Sequence, residues 1–262
     1  MLRTTAALVL TVFAATSFAA IKTEGVSYKA NDITLKGFIA YDDAIKGKRP
    51  GVLVVHEWWG HNEHARDSAR KLAQLGYTAL AVDMYGDGKT ADHPKQAGEF
   101  ASAVGGNPPL MKARFDAARR MLAKHQTVDP KHIAAIGYCF GGSVVLEMAR
   151  QGADLAAVAS FHGALATKNP AQAGKTKAKV LVMTGGDDAM IKPESVEAFE
   201  KEMKAAKVDY KVVVYPGAKH SFTNPAADEN ARKFDLPMAY DPQADSASWK
   251  ELKEFLARAF GR

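Results

Sequence analysis

One cysteine, Cys139, occurs among 262 residues, so the chain can close no disulfide within itself. Beyond the first 19 residues no stretch is apolar enough to span a bilayer, which takes roughly 20 residues. Repeats and low-complexity tracts are lacking as well, and a single continuous domain is the default at this length. There is no basic stripe. The formal charge is +6, but Lys71, Lys95, Arg119, Arg150, Lys179 and Lys204 are spread among acids as a solvated surface, so no nucleic-acid partner is expected. No composition signal points to a dimer patch, and a monomer is expected.

What is present begins at the N-terminus. Met1-Leu2-Arg3 carries an early positive charge, residues 6–15 are apolar except for Thr11, and Ser17-Phe18-Ala19 offers small residues where a signal peptidase reads. Residues 1–19 are therefore expected to be a signal peptide cleaved after Ala19. That would leave residues 20–262 as one exported domain, periplasmic or secreted, with no stable membrane anchor. An unpaired thiol in an oxidising compartment is a liability, which suggests that Cys139 is kept for its chemistry.

The chain as a whole is 47% hydrophobic and 24% charged, an ordinary globular balance. Residues 26–29 and 33–41 alternate apolar and polar side chains about a turn at Asn31-Asp32, as in an antiparallel hairpin. Apolar runs at residues 51–56, 133–138 and 180–184 predict strands buried on both faces, and residues 78–82, 156–161 and 210–215 also read as strands. Helical periodicity covers residues 62–75, 94–103, 110–125, 142–150, 194–207 and 246–260, while 105–109 and 224–228 read as loops. Strands alternating with helices imply an α/β fold: a mostly parallel central sheet with helices on both faces and an N-terminal antiparallel hairpin. Ligands in such sheets bind beyond the carboxyl ends of the strands.

The polar motifs fall at those ends. Gly137-Tyr138-Cys139-Phe140-Gly141-Gly142 links a buried strand to a helix and is G-x-C-x-G, the setting of a nucleophile elbow. A side chain there meets helix N-terminal amides that favour a thiolate, and the Phe140 N–H is an oxyanion-hole candidate. Ser143 is a rival nucleophile, but its flanks Gly141 and Val145 break G-x-S-x-G. In this class the acid and then the histidine follow later in the chain. Two acids, Asp187 and Asp188, follow the strand ending near Thr184, and His220 follows the last strand. Asp188 is preferred for its spacing between Gly185 and Ile191, with Asp187 still open. His125 and His132 read as surface residues.

His56-Glu57-Trp58-Trp59-Gly60-His61 ends the first long buried run. Its histidines are five apart and Gly60 interrupts them at a strand end, so it lacks the helical H-E-x-x-H of a zinc site and no metal is expected. It is better read as the second wall of the site. Trp58 would give a second oxyanion N–H, Glu57 would lie beside the thiol, and Trp58 and Trp59 would pack on substrate, unless Trp59 is simply core. His162, ending Ser160-Phe161-His162, either lines the pocket or is structural.

Together with Asp83-Met84-Tyr85-Gly86 and Pro216-Gly217-Ala218-Lys219-His220-Ser221-Phe222, these motifs resemble, in order and across nearly all of the mature chain, the dienelactone hydrolase family of α/β-hydrolases. The resemblance implies a Cys139-His220-Asp188 triad, a Glu57 that restrains the thiol, an acyl-enzyme, pocket positions at Tyr85 and Phe222, and no metal or organic cofactor. At the positions where dienelactone-opening enzymes hold a carboxylate with arginines, this chain has Asp87 and Asn224, neither of which offers a guanidinium. The expected partner is thus a small neutral ester, lactone or thioester, and the expected activity that of a carboxylic ester hydrolase. A non-catalytic ligand-binding or redox-sensing protein on the same fold is the alternative. Expressed with its first 19 residues in an exporting bacterium, the protein should be recovered with Ala20 at its N-terminus by intact mass. Recovery of the uncleaved chain would contradict the signal assignment.

Overall fold

The computed structural model describes residues 21–262, and the proposed signal segment lies outside them. Strands β1 (Ile21–Ala30) and β2 (Ile33–Asp42) form the N-terminal hairpin, turning at Asn31, whose φ of 53° is left-handed. There follow β3 (Arg49–Val55), α1 (Glu63–Gln74), β4 (Thr78–Val82), α2 (Pro94–Gly105), α3 (Pro108–Ala123) and β5 (Val128–Tyr138). The chain then runs through α4 (Phe140–Arg150), β6 (Ala157–Phe161), β7 (Lys179–Gly185), α5 (Pro193–Ala205), β8 (Tyr210–Tyr215), α6 (Ala227–Phe234) and α7 (Pro242–Phe260). Helices α2, α3, α5 and α7 each open on a proline, where a missing N–H costs nothing.

The strands make one sheet in the order β1-β2-β4-β3-β5-β6-β7-β8. The hairpin joins the rest through the antiparallel β2–β4 pair, and every later pair is parallel. Alternation along β3 divides the core. Leu53 and Val55 face a cluster containing Phe115 of α3, Val144 of α4 and Phe199 of α5. Val52 and Val54 face the opposite cluster, with Leu72 of α1 and Leu252 of α7. Burial on both faces is why these strands read as unbroken apolar runs.

One expectation is overturned: α6 begins within the segment 224–228 read as loop. It is only eight residues long, so its apolar positions, Ala227, Ala231 and Phe234, cover barely two turns, and of these only Ala227 is buried. Residues 105–109 are likewise largely taken up by the ends of α2 and α3.

The turn from β5 into α4 demands the closest backbone approach. A Cβ on Gly137 would stand 2.1 Å from the Gly141 carbonyl oxygen, and one on Gly141 would stand 2.3 Å from that of Val55. Only glycine lets α4 start against the carboxyl ends of β3 and β5. Gly137→Ala should therefore cost at least the ~1–3 kcal/mol of ordinary overpacking. Urea unfolding is the check: the midpoint should fall sharply or the protein become insoluble, while Gly25→Ala, with open space at its Cβ, should leave the midpoint in place.

Candidate active site

Cys139 sits at the apex of that turn with φ 49° and ψ −114°, a conformation that a side chain adopts only when its surroundings enforce it. Its backbone N–H is shared between the Phe161 carbonyl, at 3.0 Å, and Nδ1 of His162, at 3.1 Å. Phe140 is the first residue of α4, where helix N–H groups have no intrahelical partner. The Ser143 hydroxyl donates to the Cys139 carbonyl at 3.4 Å.

The ends of β7 and β8 bring in the other two groups. His220 Nδ1 lies 2.8 Å from Asp188 Oδ2, with both side chains buried. Asp187 is exposed, and its N–H bonds to the Ala218 carbonyl. The far nitrogen of the imidazole, His220 Nε2, is buried without a conventional hydrogen-bond partner among the described residues. It lies beside the Cys139 sulfur, in a cavity that Cys139 and His220 both line. Burial disfavours the charged ring, but the Cys139 sulfur and the Asp188 hydrogen bond outweigh it, and the pKa of His220 is pushed up to about 10.

His162 is the opposite case. Fully buried, with the charge of His220 and then that of His64 nearby, it is held well below the usual imidazole range and stays neutral. Accepting from Cys139 at Nδ1, it carries its proton on Nε2 and donates to the Thr223 hydroxyl at 2.9 Å. Its ring meets that of His220 at 5.1 Å and that of Phe222 at 5.2 Å, both edge-on.

The cavity at Cys139 measures ≈ 240 Å³ and is walled by Trp58, Phe140, His162, Met190, Ile191 and Met238, with Ala101, Ala164 and Ser143 completing it. Neither lysine nor arginine lines it. Of the expected pocket residues, Trp58, Phe140 and His162 are there, and three are not. Trp59 is buried against Trp58 and Phe234. Tyr85 packs on His56, Phe100 and Phe140 and donates its hydroxyl to the Trp58 carbonyl, so it braces the wall from behind. Phe222 is wholly buried under His162 and Tyr215.

Glu57 also differs from expectation. Its carboxylate accepts from the Ser221 hydroxyl at 2.9 Å and from the Asn224 amide at 2.5 Å, and it makes no hydrogen bond to Cys139 among the described residues. Asn224 is thereby spent on Glu57, and Asp87 lies in a separate groove with Lys36, Phe38 and Arg66, so neither borders the cavity. His56, His61 and His64 bond to three different backbone carbonyls, those of Glu57, Ala81 and Thr223. His125 is half-buried against Tyr41, while His132 is exposed beside Asp129.

The sequence reading missed the apolar walls at Ala101, Ala164, Met190, Ile191 and Met238. Such residues carry no signal to separate a pocket from a core. It also missed the bracing of the His220 loop, although Ser221 stood inside a recognised motif. The two neighbouring histidines give a direct check: in a 15N–1H titration, His220 should stay protonated through pH 8 and His162 should show no transition between pH 6 and 8. A transition of His220 near 6.5, the ordinary imidazole value, would contradict this electrostatic account.

With this geometry in hand, comparisons with known proteins are specific. The dienelactone hydrolase family profile matches residues 35–260. A dienelactone hydrolase-like promiscuous phosphotriesterase from metagenomic libraries superposes with a TM-score of 0.86 at 36% identity, over 92% of this chain and 99% of that one. The protein usf of Aquifex pyrophilus is 29% identical over 86% of this chain and 93% of its own length. An esterase from Thermogutta terrifontis, at 20% identity and a TM-score of 0.65 over 92% of each chain, shares the α/β-hydrolase fold. A family match from β2 to the end of α7 on this eight-stranded fold makes the chain an enzyme of the ester- and lactone-hydrolysing kind, a member of the dienelactone hydrolase family.

Proposed function

We propose that the protein hydrolyses neutral carboxylic esters, lactones or thioesters through a Cys139 acyl-enzyme. The observation that carries this reading is the line from Asp188 through His220 to the cavity. One imidazole nitrogen is tied to the carboxylate at 2.8 Å and the other faces the sulfur without a competing partner. An imidazolium held between two anionic groups can supply a proton to a leaving group and then take one from water.

The thiolate sulfur attacks the carbonyl carbon and forms the C–S bond, and the negative charge moves to the oxygen. The N–H groups of Phe140 and Trp58 are the donors proposed for that oxygen. Collapse breaks the C–O or C–S bond to the leaving group, which takes its proton from His220. Water then loses a proton to His220, attacks the thioester and releases the acid, regenerating Cys139. His162 stays neutral throughout and keeps its lone pair on the Cys139 N–H, so it belongs to the support of the elbow.

The preference for a neutral substrate rests on the lining. With no lysine or arginine at the cavity, a carboxylate substrate finds no bidentate partner, and Glu57 sits behind the wall. The family name alone therefore does not make dienelactone the substrate. Export through residues 1–19 and action as a monomer belong to the same proposal.

The test is turnover of a panel of neutral esters, lactones, thioesters, dienelactone and a neutral phosphotriester, the last because a relative is described as a phosphotriesterase. Cys139→Ala should abolish hydrolysis, and Asp188→Asn should lower kcat by about 10²–10⁴-fold, the range seen when a triad acid is neutralised. Undiminished activity in Cys139→Ala would sink the proposal. Silence of the wild type across the panel would favour a binding or redox role for the thiol.

A further inference from the structure

A second cavity, larger at ≈ 640 Å³, lies next to the one at Cys139. Phe140 and Ser143 line both. The cavity at the thiol, at ≈ 240 Å³, is smaller than the roughly 300–1,000 Å³ usual for ligand sites, and the two together reach that range.

The wall between them is fixed. The Phe140 ring stacks on His56 at 5.9 Å and leans on Tyr85 at 5.5 Å, both on the side of the sheet ends. On the far side, Gly105 at the end of α2 stands beside that ring, and a Cβ there would lie 4.0 Å from it, in ordinary contact. Met111 and Pro108 continue the floor in apolar side chains.

Two of the three charged side chains lining this cavity are already engaged. Arg150 makes two 2.8 Å bonds to Glu202, and Glu147 accepts from Thr167 and Asn169. Lys168 is exposed at the rim. Apart from Lys168 at the rim, the surface next to Phe140 is the apolar floor of Pro108, Met111 and Val144, continuous with the cavity of Cys139.

We propose that the second cavity is the subsite for a long, uncharged hydrocarbon arm of the ester. One short arm occupies the small cavity and the other passes over Phe140 and Ser143, so the preferred substrates are medium-chain neutral esters. This rests on the reading of Cys139 as the nucleophile of a hydrolase.

Ala166 stands exposed on the wall of the second cavity and takes no part in the chemistry, so Ala166→Trp fills the subsite and spares the small cavity. The measurement is kcat/KM for p-nitrophenyl acetate against p-nitrophenyl octanoate, and for ethyl acetate against octyl acetate. In one of the two series the wild type should favour the long member, and the variant should lose about tenfold or more on it, the burial of some two methylenes. On ethyl acetate, short on both arms, the variant should stay within about twofold, too small a change to signal a lost contact.

A parallel measurement needs no turnover. Alkylation of Cys139 by N-octyl maleimide, read by intact mass, should slow in Ala166→Trp, and alkylation by N-methyl maleimide should not. If no ester is hydrolysed by either protein, the hydrolase reading falls and the maleimide pair still decides the subsite. Equal effects on long and short reagents, or none on either, would overturn the proposal.

Discussion

The contact on which the site depends is between backbones. Where β5 turns into α4, Gly137 and Gly141 let carbonyl oxygens come closer than any Cβ allows, and the helix is seated on the ends of β3 and β5. Cys139 is held at positive φ by that seating, and its strain is maintained by two acceptors for one N–H. Displacing α4 would shift the thiol, the helix amides and the Phe140 wall together, because all three belong to the same first turn.

A second constraint acts on the loop that carries His220. Ser221 and Asn224 are tied to Glu57 at the end of β3, the Thr223 hydroxyl to His162 at the end of β6, and the Thr223 carbonyl to His64 of α1. Ser221 takes φ 57° and His162 φ 40°, so with Cys139 the site gathers three of the seven non-glycine residues at positive φ among the described residues. Backbone strain of this kind survives only where neighbours over-determine it, and here the neighbours come from different strand ends.

That distribution explains what the sequence could disclose. The inner parallel strands were legible because burial on both faces writes an apolar run, and the elbow because Gly137, Cys139 and Gly141 lie within five residues. The meeting of Asp188 with His220 could be anticipated from chain order, but the choice against Asp187 is made by which carboxylate the loop turns inward. Glu57 was placed in the right neighbourhood with the wrong partner. Its bonds to Ser221 and Asn224 span more than 160 residues of chain, and no local pattern encodes them. Helix α6 was missed because its three helically spaced apolar residues span barely two turns, too short a pattern to tell from a loop.

The position of Glu57 bears on how a catalytic cycle ends. Its two oxygens accept from a hydroxyl and an amide, both neutral donors, so hydrogen bonds satisfy it but no neighbouring cation cancels its charge. In the reaction proposed above, a neutral ester becomes an anion in a cavity that, among the described residues, no lysine or arginine lines, so the protonated His220 is the cation it meets there. A carboxylate product must compete for that imidazolium with Asp188 and the Cys139 sulfur, both already in place, and product inhibition by carboxylates is correspondingly disfavoured.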